Sequence, residues 1–200
     1  GRLAAELTGF RRDTRDQITL NTTQLLTQYR NLLEARGQGA EGSVSWRAPG
    51  EWMGLFASAS YNDLRNTSQT GPYAPFEGDR VPNQPFFSAF GEVRLQRRDT
   101  FVSRGVLSAY WNSRFVEEFF RFWESPGLRD SKARVPAQLV HTVGITYRFG
   151  TALVANLEMQ NVADARTYDL FGIQRPGRAL FFKLSGTLDF TTPNHSNEKG

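Results

Sequence analysis

The sequence predicts an all-β fold, an antiparallel up-and-down transmembrane β-barrel. Three observations lead to this prediction. Apolar residues recur at every second position, the segments that carry this pattern are long, and tight turns alternate with long polar loops along the chain. A transmembrane helix is excluded, because no run of about 18 apolar residues is present.

The alternation is clearest near the C-terminus, where Leu180, Phe182, Leu184 and Phe190 stand between mostly polar residues. Such a period of two gives a strand one apolar and one polar face. The segments with this pattern predict about nine strands, at 3–12, 17–28, 35–48, 53–62, 86–97, 101–117, 142–148, 153–160 and 180–190. Most of these are long enough to cross a bilayer, which takes about 9–11 tilted residues, whereas soluble strands usually have about 5–6.

The connections form a second pattern. Tight turns are predicted at 13–16, 49–50, 98–100 and 150–151, and long polar loops at 22–34, 65–85, 118–136 and 163–176. A meander with this alternation has its tight turns at one end and its loops at the other, as transmembrane barrels do. With nine strands, Gly1 is expected outside the cell, and further strands are expected to precede it so that both sheet edges are paired.

Aromatic residues favour a lipid environment over the alternative, a soluble barrel with its apolar side inward. They gather toward both ends of the predicted strands, as the interfacial girdles of membrane barrels do. At the turn end these are Trp46, Trp52, Phe101, Tyr147, Phe149 and Phe190, and at the loop end Tyr61, Trp111 and Phe115.

Composition argues against several other classes of protein. Cysteine is absent and only two histidines occur, so we expect no disulfide, no metal centre and no cofactor. The net charge is +4, but the basic residues are scattered, which predicts no nucleic-acid partner. His141 is in register with the apolar set and is expected in a girdle. A lipase would need a nucleophilic serine beside this histidine, and no sequence motif identifies one. We therefore expect that the protein is not an enzyme.

The last third resembles a known family. Asn161-Val162-Ala163-Asp164, then Pro176-Gly177-Arg178, then an alternating strand ending in Phe190, resembles the close of the TonB-dependent outer-membrane receptors. Val162-Ala163 replaces the usual Leu-Phe, and residues 191–200 extend past the usual aromatic end. Earlier segments that resemble family motifs, in the family's order, are Phe10 to Ile18, Gly39 to Glu41 with Pro49, and Gly78 to Pro85.

The resemblance implies a 22-stranded barrel around a plug domain. Residues 1–190 would be the C-terminal part of the barrel and 191–200 a short polar tail, with the plug upstream of Gly1. Such receptors import ferric siderophores or other scarce solutes across the outer membrane, and TonB energises them through the plug. The barrel-assembly machinery would read Phe190, and outer-membrane lipid would surround the wall. The alternative is a passive porin-like or adhesin-like barrel without energy coupling.

Two groups of residues are candidate sites. Tyr73, Phe76, Arg121 and Trp123 lie in two predicted loops, and aromatic rings with an arginine suit a small ligand such as a metal chelate. The alternative is that these loops pack on each other. The second group has a structural role: Asn161, Asp164, Pro176, Gly177 and Arg178, with the terminal Phe190, are expected to shape the turn and the start of the last strand.

Overall fold

A computed structural model describes residues 1–21, 28–98, 105–125, 133–150 and 153–187. These residues are mostly β-strand, with two short 3-10 turns at Pro49–Glu51 and Gly71–Phe76. The strands are β1 (Arg2–Asn21), β2 (Gln28–Arg47), β3 (Met53–Asn66), β4 (Phe87–Arg98), β5 (Val106–Val116), β6 (Phe119–Phe120), β7 (Arg134–Val135), β8 (Gln138–Phe149), β9 (Leu153–Gln160) and β10 (Ala179–Gly186). Among the described residues there is no helix with the length and apolar character that a membrane crossing requires.

Eight strands form one antiparallel sheet in the order β1-β2-β3-β4-β5-β8-β9-β10, and β6 and β7 form a small separate hairpin. The strands of the large sheet are paired in the order in which they follow one another along the chain, and β5 pairs with β8 because β6 and β7 form the separate hairpin. This order confirms the predicted up-and-down meander. Within the described ranges β1 pairs only with β2 and β10 only with β9, so the sheet is not closed. From β2 to β10, short connections and long loops alternate, as expected.

The turn predicted at 13–16 is wrong. β1 runs through it and pairs with β2 from Arg2↔Arg47 to Asn21↔Gln28. Between Thr14 and Gln17 the register shifts, and Asp16 has a φ of 54°. The turn-forming residues are therefore absorbed in a β-bulge, which inserts an extra residue without reversing the strand.

The bulge changes the strand count that the sequence predicted. Residues 17–28 are not a separate strand, so the large sheet has eight strands instead of the nine predicted. The two-residue strands β6 and β7 bring the described strands to ten. The expectation that Gly1 lies at the loop end is also wrong, since Gly1 lies beside Arg47 and Pro49 at the tight-turn end. β2 begins at Gln28, so most of the loop predicted at 22–34 is strand.

The two faces of the sheet differ along its whole width. One row of directly paired residues is entirely apolar: Leu3, Trp46, Leu55, Val93, Trp111, Val143, Met159 and Leu180. We call this side the apolar face and the opposite side the polar face. Large side chains on the apolar face are open to the surroundings, with Leu7 82% and Phe182 70% exposed. No protein in the described residues covers them.

The small apolar core lies at the loop end instead of between layers of sheet. Ala35 and Tyr73 are buried there, packed by Leu64, Phe76, Val81 and Trp123. The structure thus places this core at the loop end of β2 and β3 and leaves the middle of the apolar face uncovered.

Candidate functional site

The polar face carries a hollow of about 400 Å³ at the loop end. β5 and β8 contribute neighbouring positions on one face, because Arg114 pairs with Val140 and Asn112 with Thr142. The segment between β9 and β10 closes the other side with Tyr168 and Arg175. Alternation along the strands therefore directs side chains from distant parts of the chain into one concave surface.

Two turn residues hold this segment in place. Asn161 has a φ of 51° and is buried; its Nδ2 donates to the Ala165 carbonyl at 2.8 Å, and its Oδ1 accepts from the Ala165 amide at 2.9 Å. Asp164 has a φ of 52°, and its Oδ1 accepts from the Arg178 amide at 2.8 Å. A Cβ on Gly177 would lie 2.6 Å from this same oxygen, so a larger residue there would have to displace the Asp164 carboxylate. The structural role predicted for this group stays a prediction, and these contacts show where four of its residues lie: Asn161, Asp164, Gly177 and Arg178.

Further along the segment, the Tyr168 amide donates to Gln138 Oε1 at 2.6 Å. This bond ties the loop to the first residue of β8. The segment that carries Tyr168 and Arg175 is thereby held against β8, whose residues line the opposite side of the hollow.

The lining suits a ligand with anionic or hydroxyl oxygens. Arg114 and Arg175 supply guanidinium donors, which bind such oxygens in a fork geometry. The phenol of Tyr168 and the rings of Phe90 and Phe181 add surface for flat groups. The sequence analysis missed this set, because its members lie far apart along the chain and come together only through strand register and the packing of the β9–β10 segment on the sheet.

The predicted ligand residues lie elsewhere. Tyr73 is 7% exposed, and the rings of Phe76 and Trp123 stack with centroids 5.0 Å apart and 4° between their planes. These three pack with the loop-end core, as the loop-packing alternative describes. Arg121 is exposed and lies against Gly172 in the β9–β10 segment, away from this stack. A ligand contact by the four residues stays a prediction.

Polar and charged side chains on the polar face bond one another, both within a strand and across strands. The Tyr110 hydroxyl donates to Glu158, and Gln160 Nε2 donates to the other oxygen of that carboxylate at 2.6 Å. Arg94 bonds Glu92 at 2.8 Å. These side chains lie on the side that would face the lumen of the predicted barrel. The bonds they make join no nucleophile to a general base.

A serine and a histidine meet on the apolar face. Ser113 pairs directly with His141 across β5 and β8, and Ser113 Oγ lies 2.7 Å from His141 Nδ1. The Trp111 ring packs on the imidazole, with centroids 5.7 Å apart. Within the described residues no carboxylate contacts His141, so the pair lacks the orienting acid of a catalytic triad. The sequence could not nominate Ser113, which is far from His141 along the chain.

The described part of the chain holds no group of three or more histidine, cysteine, aspartate or glutamate side chains that could hold a metal ion. Phe190 and residues 191–200 lie outside the described residues.

Comparisons with known proteins agree on the fold. A family model described as "TonB dependent receptor-like, beta-barrel" matches residues 1–162. No curated protein matches the chain. Among solved structures, the chain is similar to the copper transporter OprC, with a TM-score of 0.73 and 20% identity over 93% of this chain and 28% of that one.

Two further solved structures have the same fold. The ferric-catecholate import receptor Fiu from E. coli K12 has a TM-score of 0.65 and 16% identity, over 92% of this chain and 25% of that one. The FrpB iron transporter from Neisseria meningitidis has a TM-score of 0.69 and 16% identity, over 93% of this chain and 29% of that one. The chain therefore spans between a quarter and a third of the length of these proteins.

Proposed function

Because the chain belongs to the TonB-dependent receptor β-barrel family, we propose that it forms the C-terminal part of the wall of an outer-membrane receptor that imports a scarce solute. Members of this family are transport receptors of the outer membrane. The polar face would line the lumen, and the apolar face would contact lipid.

The hollow on the polar face is the observation that carries the proposal. It lies at the loop end, where a solute arriving from outside first meets the wall, and it offers two guanidinium groups and a phenol. Similar folds belong to a ferric-catecholate receptor and a copper transporter. A metal ion or an anionic metal chelate such as a ferric siderophore is therefore the solute class that we propose.

The partners follow from this proposal. A plug domain of the same protein would occupy the lumen and contact the polar face, and TonB would supply energy through it. The barrel-assembly machinery would recognise the C-terminal strand, with Phe190 as its terminal aromatic residue. Tyr73, Phe76, Arg121 and Trp123 would shape the outer surface above the hollow and contact the ligand there.

Uptake by cells that carry the full-length receptor tests the function. We expect that a strain without its own iron and copper receptors takes up a labelled ferric siderophore or copper only when it makes this protein. Uptake should stop when TonB is deleted or a protonophore is added. Replacing Arg114 and Arg175 with glutamine should weaken solute binding by about tenfold or more, since each charged hydrogen bond contributes about 1.5–3 kcal/mol.

The passive alternative gives the opposite result. A porin-like barrel would pass small sugars at a rate that neither TonB deletion nor a protonophore changes, and an adhesin-like barrel would pass no solute. Either outcome would refute energised import.

The pair Ser113 and His141 allows a direct test of the expectation that the protein is not an enzyme. The purified full-length receptor should hydrolyse phospholipid no faster than buffer alone, and Ser113→Ala and His141→Ala should not change this rate. A hydrolysis that both substitutions abolish would contradict this part of the proposal.

A further inference from the structure

Arginines from β2, β3 and the loop after β3 form a row at the loop end of the sheet, beyond the last apolar residues of the apolar face. Asp13 on β1 pairs with Arg36 on β2, and Arg36 pairs with Arg65 on β3. Arg65 in turn forms a bridge with Arg80 in the following loop. These residues continue the positions of the apolar face, because Arg65 and Tyr61 are four residues apart on one strand. We call Arg36, Arg65 and Arg80 the arginine row.

Like charges that stand directly opposite each other destabilise a sheet, so the row needs compensation. Asp13 supplies part of it, with carboxylate oxygens 2.5 Å from Arg36 Nε and 3.6 Å from Arg11 Nε. Asp63 supplies more, at 2.7 Å from Arg65 Nε and 2.9 Å from Arg80 Nε. Each aspartate thus serves two guanidinium groups, and each lies to one side of the central pair, Arg36 and Arg65.

A groove of about 250 Å³ lies at this central pair. Its lining includes Arg36 and Arg65 together with donors from Gln38 and Thr67. Two carboxylates also line the groove: Asp63, which is bonded to Arg65 and Arg80, and Glu77, which accepts a hydrogen bond from Gln69 at 3.3 Å. Arg65 Nη1 donates to the Gly78 carbonyl at 2.9 Å. The side chains of Arg36 and Arg65 are 45% and 42% exposed, so Arg65 Nη2 and the two Nη atoms of Arg36 remain as donors for an outside partner.

The depth of the row identifies that partner. Tyr61 ends the apolar rows of β3, paired with Ala40 and Phe87. Arg65 is four residues further, about 13 Å along the strand and about 9 Å along the bilayer normal at the usual tilt of about 45°. The headgroup layer above the hydrocarbon is about 5–8 Å thick on each side. The backbone of the arginine row therefore lies at the outer edge of the headgroup layer, on the side of the wall that meets lipid, and its long side chains can extend back to the headgroups.

We propose that Arg36 and Arg65 bind a phosphate group of an outer-leaflet lipid. A phosphate oxygen placed between the two guanidinium groups relieves their repulsion and accepts forked hydrogen bonds from both. The outward position of the loop end rests on the proposed function, but the binding itself requires no imported solute.

Lipid binding by the purified full-length receptor in phosphatidylcholine nanodiscs tests this inference, with lipid A as the probe. We expect that Arg36→Gln/Arg65→Gln weakens lipid A binding by about 30-fold, since each arginine near an anionic surface contributes a factor of about five. The matched control is Arg2→Gln/Arg47→Gln, a directly paired arginine couple on the polar face, which should bind lipid A as the unchanged protein does. Lipid A without its phosphates should bind as weakly as the first variant.

Several results would overturn the inference. These are an equal loss in both variants, no loss in either, or displacement of lipid A by millimolar inorganic phosphate, which would make free phosphate the ligand. If Arg36→Gln/Arg65→Gln does not yield the heat-modifiable folded form, Arg36→Lys/Arg65→Lys replaces it. That variant keeps both charges, and its loss of the forked bonds should give a smaller but measurable weakening. A failure of solute uptake would refute the proposed import and leave these results unaffected.

Discussion

Gly144 on β8 leaves the space that the ring of Tyr110 occupies. A Cβ at this position would lie 2.4 Å from two ring carbons of Tyr110 and 2.6 Å from its hydroxyl oxygen. The ring crosses β8 here and donates its hydroxyl proton to Glu158 on β9. One glycine therefore permits a hydrogen bond that links three strands.

Gly144→Ala should lower the free energy of unfolding by about 1–3 kcal/mol, because the ring must move or the backbone must shift. The measurement is the temperature at which the full-length receptor loses its compact form in heat-modifiability gels. Gly54→Ala is the control, since nothing lies within 4 Å of a Cβ there. Equal unfolding temperatures for the two variants would contradict the packing described.

Asn161 depends on both its side-chain amide and its backbone conformation. Asn161→Ala removes a buried donor and acceptor, and we expect it to cost about 1–3 kcal/mol. Asn161→Asp tolerates the positive φ and keeps the acceptor for the Ala165 amide, so its loss should be smaller. The same unfolding measurement checks both. Both variants lack the donated bond, so an aspartate variant no more stable than the alanine variant would contradict the contribution of the acceptor and the backbone conformation.

At the scale of strands, the sequence predicted most of the sheet, because alternation and loop length depend only on local residues. It failed at 13–16, where Asp13, Thr14 and Asp16 favour a turn taken alone. Pairing with β2 on both sides of this segment outweighs that preference, and a bulge accommodates it.

Cross-linking tests the single crossing of β1. The chain has no cysteine, so introduced pairs report without interference. Thr8→Cys/Glu41→Cys joins two directly paired residues of β1 and β2 and should form a disulfide readily, since such Cα atoms lie about 4.5–5.5 Å apart. Phe10→Cys/Thr19→Cys would be joined only by a hairpin turning at 13–16, and we expect no cross-link there. If non-reducing gels show a cross-link between positions 10 and 19 and none between positions 8 and 41, the single crossing of β1 is contradicted and the chain turns at 13–16.

The candidate site was harder to predict than the sheet. The rings of Tyr73, Phe76 and Trp123 were singled out by their residue type, and the structure places them in the loop-end core. Strand register places Ser113 beside His141 and directs Arg114 into the hollow, where the β9–β10 segment adds Arg175. A one-residue error in register moves every side chain to the opposite face, so residue type alone could not identify these groups.

At the scale of the whole molecule, the fold, the family and the proposals depend on one property of the sheet. Its apolar face must contact hydrocarbon and its polar face must contact water or protein. The fully apolar row across eight strands and the exposed side chains of that face support this arrangement. Burial of a large apolar side chain contributes about 1.5–3 kcal/mol, so the bilayer would stabilise the sheet substantially.

Spin labelling along β8 tests this arrangement most directly. Single cysteines at 139–147 of the full-length receptor in liposomes, each carrying a nitroxide, report collisions with oxygen in lipid and with a nickel chelate in water. Labels at Leu139, Val143, Ile145 and Tyr147 should collide mainly with oxygen, and labels at Val140, Thr142 and Thr146 should show low oxygen accessibility. An accessibility pattern without a period of two, or one shifted by a single residue, would contradict a lipid-facing apolar side.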